Sequence, residues 1–307
     1  MPSILTEFSL KRSWITIGSF DGVHLGHQSL IKRLVEGARK ENCISVVLTF
    51  DPHPAVFFKR AAEASLLTSA DEREDLLHSL GVDQVITLRF DSSVANLSAR
   101  DFVIQLKEHL GIRHLLAGVN FALGKDRTGD LTTLNRLGNE LGLEVEVIPP
   151  FVLKGEIVSS SLIRQLLQSE QLSKANKLLG RPYRLSGQVV HGEARGSRLG
   201  FPTANMQIRA DRLVPSNGVY VTRAIVNGHA YGAVTNIGVR PTFENPLATP
   251  RVEPHVLDVS DNFYDQQLDL EFIEFLRPEI KFPDTKSLID QINLDIQKAR
   301  EVLAHGT

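Results

Sequence analysis

The chain has 307 residues, a length for about two domains, and its 34 Lys and Arg against 36 Asp and Glu leave a net charge of −2. That balance excludes a strongly basic, sequence-independent nucleic-acid binder, although a few local cations and amides would suffice for a small anionic substrate. A single cysteine, Cys43, excludes an intrachain disulfide; with no secretory leader pattern and no apolar run of membrane-span length, the expected compartment is the cytoplasm and no membrane partner is expected.

Residues 14–17 are apolar and partly β-branched, which predicts a buried strand. The strand runs into Gly18, Gly22 and Gly26, which let the backbone turn sharply and approach a ligand. From His27 onward, Leu30, Ile31, Leu34 and Val35 recur at helical spacing. His24 and His27 therefore belong at or near a helix N-terminus, whose free N–H groups and dipole suit phosphate. Cys43 opens an apolar run over 44–50 and reads as a buried thiol before a parallel strand. A helix over 72–80 closed by Gly81, a strand over 82–88, and a helix from Ser98 to about 110 with Gly111 as its stop follow. A strand over 114–118, a helix over 131–141 capped by Asp130, and a strand over 143–148 complete the series. Repeated β-then-α units imply a doubly wound parallel sheet.

Two short helices, over 160–168 and 171–179, end at Gly180-Arg181-Pro182. Beyond them the pattern turns strand-rich. Runs over 218–226 and 230–237 flank Asn227-Gly228, a strong hairpin signal. Further strands are expected over 252–259 and 268–275, which together suggest a small antiparallel barrel. An amphipathic helix over 288–303 closes the chain.

Several segments carry chemistry. Thr49-Phe50-Asp51-Pro52-His53-Pro54 follows the second strand, at the carboxyl end of the sheet where open α/β folds bind ligands. The loop from Gly118 to Asp130 offers glycines, Lys125, Arg127 and the amide of Asn120. Ser159-Ser160-Ser161-Leu162-Ile163-Arg164 opens a helix; Ser159 or Ser160 can cap it, and Arg164, one turn in, can fork onto phosphate oxygens. In the second half, Gly192-Glu193-Ala194-Arg195-Gly196-Ser197-Arg198-Leu199-Gly200-Phe201-Pro202-Thr203-Ala204-Asn205 is a glycine-rich, two-arginine loop that is not a Walker loop. Asn236 to Phe243, Val252-Glu253-Pro254-His255 and Leu276-Arg277-Pro278 lie downstream of it.

The string Gly18-Ser19-Phe20-Asp21-Gly22-Val23-His24-Leu25-Gly26-His27-Gln28 resembles the signature of a nucleotidyltransferase superfamily with a Rossmann-like fold. Its longer form is similar to the N-terminal module of bacterial bifunctional riboflavin kinase/FAD synthetases. The Gly192–Asn205 string and Glu253 resemble the riboflavin kinase module of the same family. The resemblance implies an FMN adenylyltransferase domain over 1–182 and a riboflavin kinase barrel with a C-terminal helix over 183–307. It implies that Glu253 is the base for the ribityl hydroxyl and that Thr203 and Asn205 hold Mg2+ on the nucleotide. It gives His24 and His27 a catalytic role in adenylyl transfer. It assigns nucleotide or flavin binding to Gly18, Ser19, Phe20, Asp21, Gly22, Asn120, Arg127, Ser159, Ser160, Arg164, Arg195, Gly196 and Arg277. Substrates and products would be riboflavin, FMN, FAD and ATP, and self-association is not readable. Leu123, Leu162 and Pro254 depart from the family pattern, Leu162 where a basic residue is frequent and Pro254 where Thr is expected. Three rivals stay open: an enzyme with one working site, a flavin-sensing regulator without turnover, and a cytidylyltransferase, which would not explain the segment from Pro202 to Asn205.

Overall fold

The computed structural model of the chain describes residues 4–58, 66–191, 196, 199–238, 250–259 and 263–305. The chain forms two compact units, Met1–Ser160 and Ser161–Thr307.

The first unit carries β1 (Ser13–Ile17), α1 (Leu25–Lys40), β2 (Ile44–Asp51), α2 (Pro54–Phe57), α3 (Ala70–Ser79) and β3 (Gln84–Arg89). It continues with α4 (Ser92–Ala95), α5 (Ala99–Leu110), β4 (Ile112–Gly118), α6 (Leu131–Leu141), β5 (Glu144–Ile148) and a small hairpin, β6 (Val152–Leu153) with β7 (Glu156–Ile157). Five parallel strands lie in the order β3-β2-β1-β4-β5. Both faces of the sheet are covered at its centre, so β1 and β2 read as largely buried runs, whereas the edge strands β3 and β5 interleave polar residues. Ile15, Val46, Leu48 and Leu115 pack with Phe102, Leu106, Leu134 and Leu137 of α5 and α6. Trp14, Val47 and Leu116 pack on the opposite side with Ile31, Leu34 and Leu77 of α1 and α3.

The helix signals in the sequence correspond to bonds. Ser98 accepts from the Asp101 amide, Asp130 accepts from the Thr133 amide, and Gly111 (φ 55°) and Gly142 (φ 71°) take the left-handed C-cap geometry. Helix α3 begins earlier than expected, because Ser69 and Glu72 form a reciprocal capping box. Cys43 is buried, as expected.

The second unit carries α7 (Ser160–Gln168, with Ser160 at the division), α8 (Leu172–Leu179), β8 (Tyr183–Val190), β9 (Asn205–Ile208), β10 (Gly218–Val226), β11 (His229–Gly238), β12 (Arg251–Val256), β13 (Gln267–Arg277) and the closing helix α9 (Thr285–His305). Six strands close into an antiparallel barrel in the order β10-β11-β12-β9-β8-β13. Strands β8 and β9 were not among the sequence expectations. Asn227 (φ 49°) and Gly228 (φ 79°) form the expected tight turn between β10 and β11.

Side chains alternate across the barrel wall. Tyr220, Thr222 and Thr235 are buried, with a 2.7 Å hydroxyl contact between the two threonines, and Tyr220 meets Phe272 edge-on at 5.3 Å. Val219, Val221 and Val234, one residue out of step, form a second cluster with Ile296, Ala299 and Val302 of α9. Pro254 does not interrupt β12: it pairs with Thr235, and its carbonyl accepts from the Ala204 amide at 2.9 Å.

The helices α7 and α8 group with the barrel, earlier than the expected boundary at 182/183. Asn176 of α8 donates to the Phe272 carbonyl and accepts from the Tyr183 amide, both at 2.8 Å, and the Ser216 amide donates to Leu167 at 3.0 Å.

Candidate functional site

The turn after β1 is built tightly. Phe20 (φ 46°), Gly22 (φ 82°) and Val23 (φ 39°) all take positive φ, which costs energy at the two non-glycine positions. Buried Asp21 holds the turn in place: its carboxylate accepts from the amides of Leu67 and Thr68 and from the Thr68 hydroxyl. The Thr68 hydroxyl also accepts from the Gly22 amide at 3.0 Å. Ser160 does not cap α7 with its hydroxyl; it donates to the Asp21 carbonyl at 2.9 Å.

His24 is the N-cap of α1. Its Nδ1 accepts from the His27 amide at 3.3 Å, which assigns the proton of a neutral ring to Nε2. The two imidazoles stack with centroids 3.7 Å apart and planes inclined by 16°. Gly26 belongs in this pair: a Cβ there would sit 3.1 Å from the His24 ring. Ser or Asp caps a helix better than His does.

A cavity of about 570 Å³ opens at the carboxyl ends of β1, β2 and β4, beside the point where strand order reverses. Of the expected residues, it brings together Gly18, Ser19, Asn120 and Arg127. Phe50, Phe58 and Phe90 form an aromatic wall, with Phe50 and Phe90 edge-to-face at 5.3 Å. The loop over 119–130 is held against α5 by Gly124 (φ 77°), where a Cβ would strike the Ala99 amide at 2.5 Å. Arg127 donates to the Asn120 carbonyl at 2.9 Å. Phe20 and Asp21 turn inward instead and are 3% and 1% exposed. Gly22, His24 and His27 are not in the cavity lining; Ser159 precedes α7, and Arg164 lies one turn into it, on the second unit.

Sequence reasoning missed Arg73 on α3, which is buried and donates to the Phe50 carbonyl at 3.3 Å. Burial lowers the pKa of its guanidinium, and the charges of Asp21, Asp51 and Glu74 oppose that shift. A signal was available: Arg73 stands four residues before Leu77 on the face that α3 buries.

In the second unit, a cavity of about 320 Å³ lies between the outer face of the barrel and the first turns of α9. Period-two alternation puts Val234 and Asn236 of β11, and Glu253 and His255 of β12, on that face. Glu253 stands opposite Asn236 in the ladder. Thr203 and Gly196 join them; a Cβ on Gly196 would lie 2.3 Å from the Phe201 carbonyl and 3.2 Å from the Thr203 hydroxyl, so only glycine fits. His255 contacts the Pro202 carbonyl through Nδ1 at 2.7 Å and fixes the Phe201–Thr203 segment. Asn205 opens β9 and is outside the cavity lining, and Arg195 lies outside the described residues.

Arg277, on the same cavity wall, is engaged by the protein itself. Its Nε and Nη2 fork onto buried Asp295 of α9, with a shortest contact of 2.7 Å, and Nη1 donates to the Pro278 carbonyl. Among the described residues, no group of three or more His, Cys, Asp or Glu could hold a metal ion. The Thr203 hydroxyl, on the cavity wall beside the Gly196 cradle, is a hard oxygen donor of the kind that suits Mg2+.

A family model described as FAD synthetase matches residues 7–162, and one described as riboflavin kinase matches residues 179–303. The chain is thus a two-domain transferase with a nucleotidyltransferase-type sheet and a kinase-type barrel. It belongs to the bifunctional riboflavin kinase/FMN adenylyltransferase family, and each of the two enzyme activities has its own domain. Relatives of that description include those of Listeria monocytogenes (34% identical, covering 99% of this chain and 96% of the relative) and Pseudomonas fluorescens (38%, covering 94% and 92%). That of Escherichia coli K12 is 36% identical over 94% of this chain and 91% of its own length. A crystal structure described as a macrolide-efflux protein from Streptococcus pneumoniae shares the fold, with a TM-score of 0.88, 28% identity and 97% of each chain covered. Among the described residues, no helix is long and apolar enough to cross a membrane.

Proposed function

We propose that the barrel unit phosphorylates riboflavin with ATP at the 320 Å³ cavity, and that the first unit adenylylates FMN with ATP at the sheet's carboxyl edge. One observation carries the reading: part of each sequence signature, Gly18 and Ser19 in one case and Gly196, Thr203 and Glu253 in the other, lines a different cavity, and the described lining residues of each cavity belong to one unit.

In the kinase reaction, a ribityl hydroxyl is a neutral, weak nucleophile. Glu253, lining the cavity, accepts its proton as the oxygen attacks the γ-phosphorus of ATP, the bond to the bridging β,γ-oxygen breaks and ADP leaves. Thr203 and Asn205 are the residues that would hold Mg2+, which supplies charge neutralisation on the phosphates. Gly196 lets the backbone approach them.

In the adenylyl transfer, a phosphate oxygen of FMN attacks the α-phosphorus of ATP and pyrophosphate leaves. The nucleophile is already ionised, so no strong base is required, and catalysis consists of positioning and charge stabilisation. His24 and His27, at the start of α1 and the positive end of its dipole, meet the phosphates. The Phe50–Phe90 wall suits the planar flavin ring, and Ser19, Asn120 and Arg127 frame it. Ser159 and Ser160, which lead into α7, serve the triphosphate. The reactions belong to the cytoplasm, where ATP is available.

Incubation of the protein with riboflavin, ATP and Mg2+, with riboflavin, FMN and FAD resolved by chromatography, tests the reading. FMN should form first and FAD after it. Formation of neither product would overturn the reading, and formation of FMN alone would leave a kinase with a binding domain.

A further inference from the structure

The apolar wall of the kinase cavity is borne partly by a helix end, and one buried carboxylate fixes that end. Helix α9 is anchored along its second half, where Ile296, Ala299 and Val302 pack on Val219, Val221 and Val234. Its first turns reach beyond that cluster, and Leu288 and Ile292 face the cavity from there. Asp295 stands where the two halves meet. It is 5% exposed, takes three contacts from Arg277 of 2.7–3.1 Å, and accepts from Gln291 at 2.9 Å. Arg277 ends β13 opposite Val219 and lies 5.8 Å from the Phe282 ring, itself part of the wall. A planar guanidinium gripped along one edge has a fixed orientation. The barrel rim, the Phe282 ring and the start of α9 are thereby held in one register.

We propose that Asp295 is a positioning residue of the kinase site: through Arg277 it sets the wall formed by Phe282, Leu288 and Ile292 against which the planar ring of the flavin substrate lies. The inference rests on the reading of this cavity as the kinase site. A wall that touches the ring and not the reacting phosphate contributes equally to ground state and transition state. Its loss therefore appears in KM for riboflavin and leaves kcat nearly unchanged.

The experiment compares wild type, Asp295→Asn, Arg277→Lys and Gln291→Ala in the full chain, with FMN formation measured against riboflavin and ATP separately. FAD formation from supplied FMN reports the other unit. For Asp295→Asn, KM for riboflavin should rise about tenfold, equivalent to one lost charge-assisted interaction, with KM for ATP and kcat unchanged. Arg277→Lys should act in the same direction and should not add to Asp295→Asn in the double variant. Gln291→Ala removes one donor to Asp295 and should give a smaller rise in the same constant, which keeps the test valid if Asp295→Asn fails to fold. An unchanged KM for riboflavin in the folded variants, or a fall in kcat alone, overturns the proposal. A rise in KM for ATP with Arg277→Lys would make Arg277 a phosphate ligand and overturn it equally. Glu253→Gln, run in parallel, separates the two failures: normal FMN formation in that variant removes the cavity from the kinase reaction, and the role of Asp295 with it.

Discussion

Gly37 of α1 and Trp14 of β1 compete for one volume: a Cβ on Gly37 would lie 2.0 Å from the indole ring. The indole is also stacked on His114 at 4.0 Å and donates to Glu41 at 3.3 Å, so it has no free direction in which to yield. Gly37→Ala should destabilise the first unit by about 1–3 kcal/mol, as overpacking does. Trp14 is the sole tryptophan, so thermal melting followed by intrinsic fluorescence reports this unit selectively. An unchanged melting curve would show that α1 shifts without cost.

Glu253→Gln keeps the size of the side chain and removes the proton acceptor. FMN formation should fall about 10²–10⁴-fold, the usual cost of losing a general base, while FAD formation from supplied FMN stays at the wild-type rate. Product chromatography with each substrate separately checks both halves. Wild-type FMN formation would take Glu253 out of the mechanism.

His24→Ala combined with His27→Ala should do the reverse. Removal of one transition-state donor costs about 10²–10³-fold, and two donors acting on one phosphate group need not add. FMN should accumulate from riboflavin and FAD should not. Because His24 also caps α1, His24→Ser serves as a control: it keeps a cap and removes the imidazole. If His24→Ser restored FAD formation, the role of His24 would be confined to capping.

Burial pushes the Tyr220 phenol up from 10.0 to about 12, and its bond with the Ser216 side-chain hydroxyl opposes the shift. A group whose pKa is raised on folding stabilises the native state fully below its unfolded value and loses that contribution as pH rises through the folded value. Between about pH 10 and 12, therefore, the barrel should lose stability in the wild type and less in Tyr220→Phe. Urea midpoints of both proteins across that interval check the sign; parallel curves would mean that Tyr220 does not titrate on unfolding.

Much of this fold was legible because its signals are local. Ser98, Asp130, Gly111 and the Asn227-Gly228 pair each act within a few residues, and each does what its type suggests. The central strands β1 and β2 were legible because burial on both faces leaves an apolar run. Strands β8 and β9 were not, since the alternation in β8 (Tyr183, Leu185, Gly187, Val189) is completed by a glycine, and β9 is only four residues long. The reach of motif reasoning also had a limit. It named residues that line the two cavities, Gly18 and Ser19 in one and Thr203 and Glu253 in the other, and missed charged residues that brace the elements around them. Arg73 and Asp295 are charged residues on apolar helix faces, and their partners, the Phe50 carbonyl and Arg277, lie on other elements. Asp21 shows the opposite case, a signature residue whose carboxylate is taken up by backbone amides of the segment before α3.

The described lining residues of each cavity belong to one unit, and on the function proposed above this makes the two activities separable between molecules as well as within one. A chain disabled at Glu253 and a chain disabled at His24 and His27, mixed in one vessel, should together convert riboflavin to FAD although neither does so by itself. The intermediate would be a shared pool of FMN in solution, and the rate of FAD appearance should lag until that pool has filled.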